Sequence, residues 1–220
     1  MDYRVSGEQM KAIDRYTIQK IGIPSLVLME RAALSVAQVV EECWGKHQGK
    51  VAIICGTGNN GADGVAAGRI LHLHHLDVTI YYVGSLSKAT DEMKQQLRIG
   101  KKIGLNIQFN AKPDLTAYPI VVDALLGVGL SREVKDPYLQ WISAIDPEKH
   151  EIIAVDVPSG LSATSGEVLG KAVKADYTVT FGLMKMGLEK GDAKQYTGKV
   201  KVMDIGYPDF VVDQVIQSKM

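Results

Sequence analysis

The chain has 220 residues, 46% of them hydrophobic, so it can bury a sizeable core, and we predict a single domain over residues 1–220. Lys and Arg number 25, as do Asp and Glu, and this zero net charge argues against nucleic acid as a partner. The first residues lack the apolar core of a signal peptide, and Glu30 and Arg31 interrupt the most apolar helical stretch, so we predict a cytoplasmic chain without a membrane span.

The predicted elements begin with N-terminal helices over about 6–45. Ser6 and Gln9 form the capping-box pattern that starts a helix, and apolar residues follow them at helical spacing. A second helix is predicted over about 25–45. An α/β core is predicted to follow over about 50–206.

Short apolar runs, typical of strands buried on both faces, occupy this core. They cover residues 51–55, 78–83, 120–126, 152–157, 177–181 and 200–205. Segments with helical periodicity separate the first four runs, notably over 64–76 and 91–104. This alternation implies right-handed crossovers and predicts an α/β fold, a three-layer Rossmann-like sandwich with a mostly parallel central sheet and helices on both faces.

Polar groups follow three of these strands, at the edge of a parallel sheet where ligands bind. The first loop is predicted from Gly56 to Gly64, the second joins Asp123 to residues 127–133, and the third follows Asp156. A single aspartate at a strand end is often only a helix cap or turn former. Two of them at the same edge favour a common site, because a carboxylate there is costly without water, a cation or another partner.

Glycines at positions 56, 58 and 61 match the dinucleotide fingerprint of nicotinamide dehydrogenases. Those enzymes also need an acidic residue at the end of the second strand to hold the ribose hydroxyls. Asp77 stands at the beginning of that strand instead, and no Gly-Lys-Ser/Thr follows the glycines as a P-loop requires. Asn59, Asn60 and Asp63 offer oxygen acceptors as well as amide donors, which favours a polar ring or a cation as the ligand.

Five consecutive motifs resemble those of the NAD(P)H-hydrate epimerases, a family also called YjeF N-terminal domains. They are GTGNNGADG (56–64), VDALLGVGLSRE (122–133), AVDVPSGLSATSGE (154–167), ADYTVTFGLMKMGL (175–188) and GKVKVMDIGYP (198–208), in the family's order and spacing. The resemblance covers nearly the whole chain. Ala62 stands where the family usually has Gly, and Val128 stands where it commonly has Thr, so no side-chain role is carried over to Val128.

This resemblance implies an isomerase that acts on a damaged cofactor. The substrate would be NADH or NADPH hydrated at C6 of the nicotinamide ring (NADHX or NADPHX), whose R and S forms are interconverted. A partner NAD(P)H-hydrate dehydratase, specific for the S form, would complete the repair. The positions that match segments contacting the hydrate are Asn59, Asn60, Gly61, Ala62, Asp63, Gly127, Val128, Gly129, Leu130, Ser131, Arg132, Glu133, Tyr138 and Asp156.

The resemblance also implies a potassium ion and a homodimer. Asn60, Asp123 and Ser159 match the family's potassium ligands, and a hard monovalent ion takes carboxylate, amide and hydroxyl oxygens of this kind. For the dimer, we expect a two-fold interface on the N-terminal helices. Apolar residues of these helices outside the alternating core include Ile18, Ile21, Leu26, Val27 and Leu28.

Asp156 is the expected catalytic residue. Loss of water from C6 gives a cation delocalised onto the ring nitrogen, and water returning to the other face inverts the centre; ring opening to an aldehyde and reclosure is the alternative route. Either route moves a proton to and from oxygen, which one carboxyl group can do as acid and then as base. A carboxylate also stabilises a developing cation. Asp63 or a cation-bound water is the alternative acid–base group.

Two other functions stay open at this point. One is a catalytically silent nucleotide-binding or scaffolding module of the same fold, against which Asp123 and Asp156 count. The other is a dehydrogenase, which the missing ribose acid disfavours. Lys185 and Lys190 are as consistent with a solvated loop as with contacts to phosphate.

Overall fold

A computed structural model describes residues 3–217 of the chain. The ends of the predicted domain, residues 1–2 and 218–220, lie outside the described residues, and the number of domains stays a prediction. Within residues 3–217, no helix is both long enough and apolar enough to cross a membrane.

The N-terminal part contains a short strand and two helices, in agreement with the predicted helices. Strand β1 covers Arg4–Val5, helix α1 covers Gly7–Tyr16 and continues through a π-helical turn at Thr17–Ile21, and helix α2 covers Ser25–His47. The capping box is confirmed: the Gln9 amide donates to the Ser6 side chain, and the Ser6 amide donates to the Gln9 side chain. Gly22, with a left-handed φ of 88°, ends the π-helical turn.

The remaining strands and helices alternate along most of the chain. In order they are β2 (Val51–Cys55), α3 (Asn59–Leu73), β3 (Val78–Tyr82), α4 (Asp91–Lys102), β4 (Asn106–Phe109), β5 (Ile120–Ala124), α5 (Tyr138–Ala144), β6 (Glu151–Val155), β7 (Tyr177–Phe181), β8 (Met184–Lys185), α6 (Lys194–Thr197), β9 (Lys199–Met203) and α7 (Asp209–Gln217). All six predicted strands are present. Four of them end one or two residues earlier than predicted, so that Asp156 lies just outside β6.

Seven strands form one sheet in the order β4-β3-β2-β5-β6-β7-β9, and every adjacent pair is parallel. Alternate residues of a strand enter different layers of core: Ile53 packs with the apolar faces of α2, α3 and α4, whereas Ile54 packs with Trp141 and Ile142 of α5. Helices therefore cover both faces, and the predicted three-layer α/β class is confirmed. Helices α1 and α7 pack together beside β1 in a smaller cluster.

Three short strands, β1, β4 and β8, are not predicted from the pattern of apolar residues. β4 reads Asn-Ile-Gln-Phe and is largely solvent-accessible, because it is the edge strand and pairs only with β3. β1 and β8 have two residues each and form a separate parallel pair. Such lengths are too short for periodicity to indicate a strand.

Candidate active site at the carboxyl ends of the central strands

A cleft of about 680 Å³ opens where the loops after β2 and β5 diverge. The chain leaves β2 for β3 and β4 on one side and then returns to β5 on the other side of β2, so this is the topological switch point of the sheet. Helices α1 and α2 supply a further wall, which includes Asp14 and Met29. Residues that follow β2, β5 and β6 thus line one cleft at this edge of the sheet, but Asp123 does not join Asp156 in it, because Asp123 is fully buried.

The glycine-rich segment is mostly the start of helix α3. The predicted loop through Gly64 is wrong, because the helix begins at Asn59 and only residues 56–58 connect it to β2. A Cβ on Gly61 would lie 2.1 Å from the carbonyl oxygen of Gly56, and one on Gly64 would lie 2.5 Å from the Ala124 Cβ. These two glycines let the helix pack closely on its own turn and on β5.

The polar residues of this segment share one helix face. Asn59, Asn60 and Asp63 line the cleft, as positions three and four apart on a helix can. Gly61 and Ala62 do not line it; both are fully packed, and Ala62 belongs to the core between the sheet and α2. Of the five positions expected to contact a ligand here, the structure brings three to the cleft.

The segment after β5 forms the opposite side of the cleft. Gly127, Val128, Gly129, Leu130, Ser131 and Arg132 line it, together with Tyr138 at the start of α5. Glu133 does not, because its side chain lies against Gly170, where a Cβ would be 2.8 Å from the Glu133 Cγ. Lys11 of α1 and Arg132 are both exposed cations that line the cleft.

Asp156 follows β6 directly and lies at the inner end of the cleft. Its backbone has a left-handed φ of 65°, an uncommon conformation for a residue with a side chain, and its amide donates to the Val179 carbonyl at 2.7 Å. The Thr180 hydroxyl donates to Oδ1 at 3.1 Å. Asp156 is 8% exposed, so it reaches the cleft while most of its surface is packed.

Lys185 is the ion-pair partner of this carboxylate. Its Nζ lies 2.7 Å from the Asp156 Oδ1 and donates to the Phe181 carbonyl at 2.7 Å, and its side chain is 1% exposed. The solvated loop expected as one alternative for Lys185 is wrong, because pairing of β8 with β1 buries the residue, whereas a contact of Lys185 with phosphate stays a prediction. Lys190 is exposed and donates to the Thr164 carbonyl at 3.0 Å.

Two further carboxyl groups face Asp156. Burial raises the pKa of Asp63 well above its ordinary value, and the negative charges of Asp156 and Asp14 raise it further. Burial also raises the pKa of Asp14, although the Tyr207 hydroxyl, which donates to it at 3.1 Å, acts in the opposite direction. The inner end of the cleft thus combines an ion-paired carboxylate with carboxyl groups that hold a proton more readily.

Asp123 and Ser159 lie behind the cleft and do not line it. The carboxylate of Asp123 accepts three hydrogen bonds, from the Ser159 amide at 2.7 Å, the Ser159 hydroxyl at 2.6 Å and the Leu125 amide at 3.3 Å. The Ser159 hydroxyl in turn accepts from the Leu126 amide at 2.9 Å. Complete burial raises the pKa of Asp123 to about 6. The three hydrogen bonds lower the pKa, but their donors are neutral and do not offset the effect of burial.

Asn60 joins this neighbourhood from α3. A Cβ on Gly127 would lie 2.9 Å from the Asn60 Oδ1, so the amide packs on the loop that also carries Leu126. Its Nδ2 is buried and has no hydrogen-bond partner among the described residues. Asn60, Asp123 and Ser159, which match the potassium ligands of the family that the sequence resembles, are therefore connected through residues 125–127.

Among the residues of the cleft that the sequence does not indicate are Lys185, Asp14 and Tyr207. The sequence alone leaves the role of Lys185 open, and it gives no role to Asp14 or Tyr207. Asp14 and Tyr207 come from segments 193 positions apart that flank the α/β core. Asp14 lies on α1 next to the buried side of the helix, which carries Ile13 and Thr17. No local pattern in the sequence indicates that the side chain of Asp14 contacts Tyr207.

The ribose-binding acid of a dehydrogenase is absent from the expected place. β3 ends at Tyr82 and continues as Val83, Gly84 and Ser85, and Asp77 precedes the strand. The structure thus supports the argument from the sequence that glycines at 56, 58 and 61 do not serve a hydride-transfer cofactor in the usual way.

Comparison with known proteins identifies relatives over most of the chain. The family model described as "YjeF-related protein N-terminus" matches residues 25–187. A protein of Oenococcus oeni named NAD(P)H-hydrate epimerase is 42% identical over 202 residues, which cover 92% of this chain and 96% of that protein. One of Weissella koreensis with the same name is 40% identical over 205 residues, which cover 92% and 90% of the two chains.

Among solved structures, the crystal structure of the yeast protein YNL200c has the same fold. It superposes with a TM-score of 0.82 over 97% of this chain and 93% of the yeast chain, at 21% sequence identity. At that identity the likeness concerns the fold alone.

Proposed function

This chain belongs to the family of YjeF-related protein N-termini, and we infer that it is an NAD(P)H-hydrate epimerase, an isomerase that interconverts the R and S forms of hydrated NADH and NADPH. The observation that carries this inference is the similarity, over nine-tenths of the chain, to proteins that bear this name. The cleft supports it with chemistry of the right kind, because it combines a fixed carboxylate, a second carboxyl group and polar rims.

Asp156 acts on the hydroxylated carbon of the nicotinamide ring in this proposal. Loss of water at C6 leaves a positive charge shared with the ring nitrogen, which the Asp156 carboxylate stabilises. The same carboxyl group moves the proton to and from the departing oxygen, whether the route is dehydration or ring opening. Its placement at the inner end of the cleft, with only a small exposed fraction, suits a group that meets one ring and excludes bulk water.

Asp63 is the second acid–base candidate. It lines the same cleft, and its raised pKa favours the protonated form that a general acid needs. Inversion needs a proton donor for the departing oxygen and an acceptor for the incoming water. Two carboxyl groups in different protonation states can divide these roles between two faces of the ring.

The rim of the cleft is suited to the nucleotide part of the substrate. We assign contacts with the nucleotide to Asn59, Asn60, Tyr138 and the segment 127–132, and contacts with the ring to Asp63, since all of them line the cleft. The exposed cations Lys11 and Arg132 also line the cleft. They would bind the diphosphate of the substrate, and the carboxyl groups would meet its ring.

The residues around Asp123 fit a potassium ion. A carboxylate offers about four acceptor positions, of which Asp123 uses three. The side chain of Asn60 has an unpartnered buried donor, and exchanging its two amide atoms places an oxygen there. Asn60, Asp123 and Ser159 would hold the ion, which would supply positive charge that compensates the buried carboxylate and fixes the two loops.

We also propose a homodimer and a place beside an S-specific NAD(P)H-hydrate dehydratase in the cytoplasm. Cys43 and Cys55 are free thiols, as is usual in a reducing compartment. Of the expected interface residues, Ile21 and Val27 are 40% and 48% exposed, and Leu34 continues the same face of α2 at 50%. Leu28 is buried in the chain's own core, and Ile18 and Leu26 are partly buried, so these three are less available to a partner.

The decisive experiment is incubation of the purified protein with R-NADHX, followed by chiral chromatography of both forms in the presence and absence of potassium. Conversion well above the spontaneous rate is expected. Nucleotide binding without conversion would instead support the catalytically silent module.

A further inference from the structure

We propose that Lys185 is a positioning residue for the epimerase reaction, and that its ammonium group holds the Asp156 carboxylate in the orientation that the substrate ring meets. This inference rests on the proposed function. It concerns a residue that does not need to touch substrate itself, since its effect passes through Asp156.

The contacts of Lys185 and Thr180 converge on a single oxygen of Asp156. The ammonium lies 2.7 Å from Oδ1, and the Thr180 hydroxyl donates to the same atom at 3.1 Å. Oδ2 takes part in neither contact. Two donors on one oxygen fix the rotation of the carboxyl group and leave the other oxygen for proton transfer in the cleft.

The ammonium group is itself held in place. It donates to the Phe181 carbonyl at 2.7 Å, and Lys185 is paired in register with Val5, which is fully buried. The turn between β7 and β8 passes through Gly182 with a φ of 69°, where a Cβ would lie 2.5 Å from the ring of Tyr207. Strand β1 and this turn therefore hold the backbone of Lys185 in place, so that its side chain lies against the Asp156 carboxylate.

The backbone of Asp156 needs such support. A non-glycine residue with a φ of 65° is strained, and strain persists only where the surroundings determine it. The Asp156 amide is anchored to Val179, and the side chain is anchored to Thr180 and Lys185. The side-chain contacts thus complete a set that holds both ends of the residue.

Burying an ammonium group is costly, so stability alone does not account for Lys185. An apolar side chain of similar volume would fill the site without loss of hydration, and replacing a buried ion pair in that way is often neutral or stabilising. The other ionisable groups that face Asp156 are Asp14 of α1, Asp63 of α3 and Tyr207, all of which are acids. Lys185 supplies the compensating positive charge at this end of the cleft.

The test is a double-mutant cycle with Lys185→Met and Asp156→Asn, with Lys190→Met as the matched control for loss of a lysine five positions away. We expect Lys185→Met to lower kcat on the order of a hundredfold while KM changes by less than about threefold. In the Asp156→Asn background the same change is expected to alter kcat by less than about threefold, because its effect is already lost. Lys190→Met is expected to match the parent.

An equal loss of kcat in both backgrounds, or a change in KM alone, would overturn the proposal. If Lys185→Met does not fold, Lys185→Gln carries the test with the same expected loss, because the Gln side chain is polar enough for the buried site but is neutral and shorter than that of Lys.

Urea unfolding of the same proteins separates this proposal from the proposed function, because it needs no substrate. We expect the effect of Lys185→Met on the unfolding equilibrium constant to be smaller by on the order of tenfold in the Asp156→Asn background. Additive effects would refute the positioning of Asp156 by Lys185 even in an active epimerase. A parent that does not epimerise would refute the function, while the unfolding coupling would still decide whether the pair is formed.

Discussion

Replacing Asp156 by Asn removes the negative charge and the exchangeable proton of the side chain but keeps its shape. Both side-chain donors, Lys185 and Thr180, bind Oδ1, so an Asn whose oxygen occupies that position keeps both hydrogen bonds. The Nδ2 then takes the place of Oδ2, which neither contact uses. The variant is therefore expected to fold with the cleft intact.

The magnitudes follow from these contacts. A hydrogen bond to a charged partner contributes about 1–2 kcal/mol more than a neutral one, so the free energy of unfolding should fall by roughly 1–3 kcal/mol, with the Lys185 ammonium still hydrogen-bonded. Affinity for the hydrate should stay within about tenfold, or about 1.4 kcal/mol. The rate should fall on the order of a hundredfold, or about 2.7 kcal/mol of barrier, because Asn cannot return a proton at neutral pH.

Epimerisation is measured by chiral chromatography of R-NADHX with time, and the spontaneous rate in buffer is subtracted. Binding is measured on the same samples by calorimetry. If the Asn protein epimerises at close to the parental rate, Asp156 is not the acid–base residue, and Asp63 or a cation-bound water takes its place.

Three other predictions concern the buried acid, the glycines and the dimer. Because burial raises the pKa of Asp123 to about 6 while an unfolded Asp titrates near about 4, the free energy of unfolding should fall by about 3 kcal/mol as pH rises through that window. In urea titrations without potassium, the Asp123→Asn protein should lack this pH-dependent fall, and added potassium should reduce the fall in the parent. Parallel plots of the free energy of unfolding against pH for the two proteins would contradict the raised pKa of Asp123. Gly61→Ala should lower the free energy of unfolding by about 3 kcal/mol, because the added Cβ meets the Gly56 carbonyl oxygen. Gly58→Ala is the control, and it should change the free energy of unfolding by less than about 0.5 kcal/mol, because the space around Gly58 is open. Equal effects of the two substitutions in thermal unfolding would argue against the close packing of Gly61. Light scattering at micromolar concentration should show a dimer that Val27→Asp converts to a monomer, and a monomeric parent would refute the interface.

The sequence by itself determined the fold class and the edge of the sheet that carries the site. Runs such as residues 51–55 and 120–122 are apolar without alternation, which is typical of a strand buried on both faces. In a parallel sheet all such strands end at the same edge, so the sequence predicts that Asp123 and Asp156 lie at the same edge of the sheet. The resemblance of consecutive motifs, which needs no structure, added the reaction.

Only the tertiary structure decided which groups surround Asp156. Whether Lys185 is a solvated loop residue or a buried ion-pair partner depends on β1, which lies about 180 residues earlier and pairs with β8 over two residues. The start of α3 at Asn59 is another case, because glycines are poor helix formers and signal a loop locally, yet packing against β5 selects them. Periodicity records that a residue is buried, but the identity of its partner depends on long-range packing, and here that packing places the lysine beside the carboxylate.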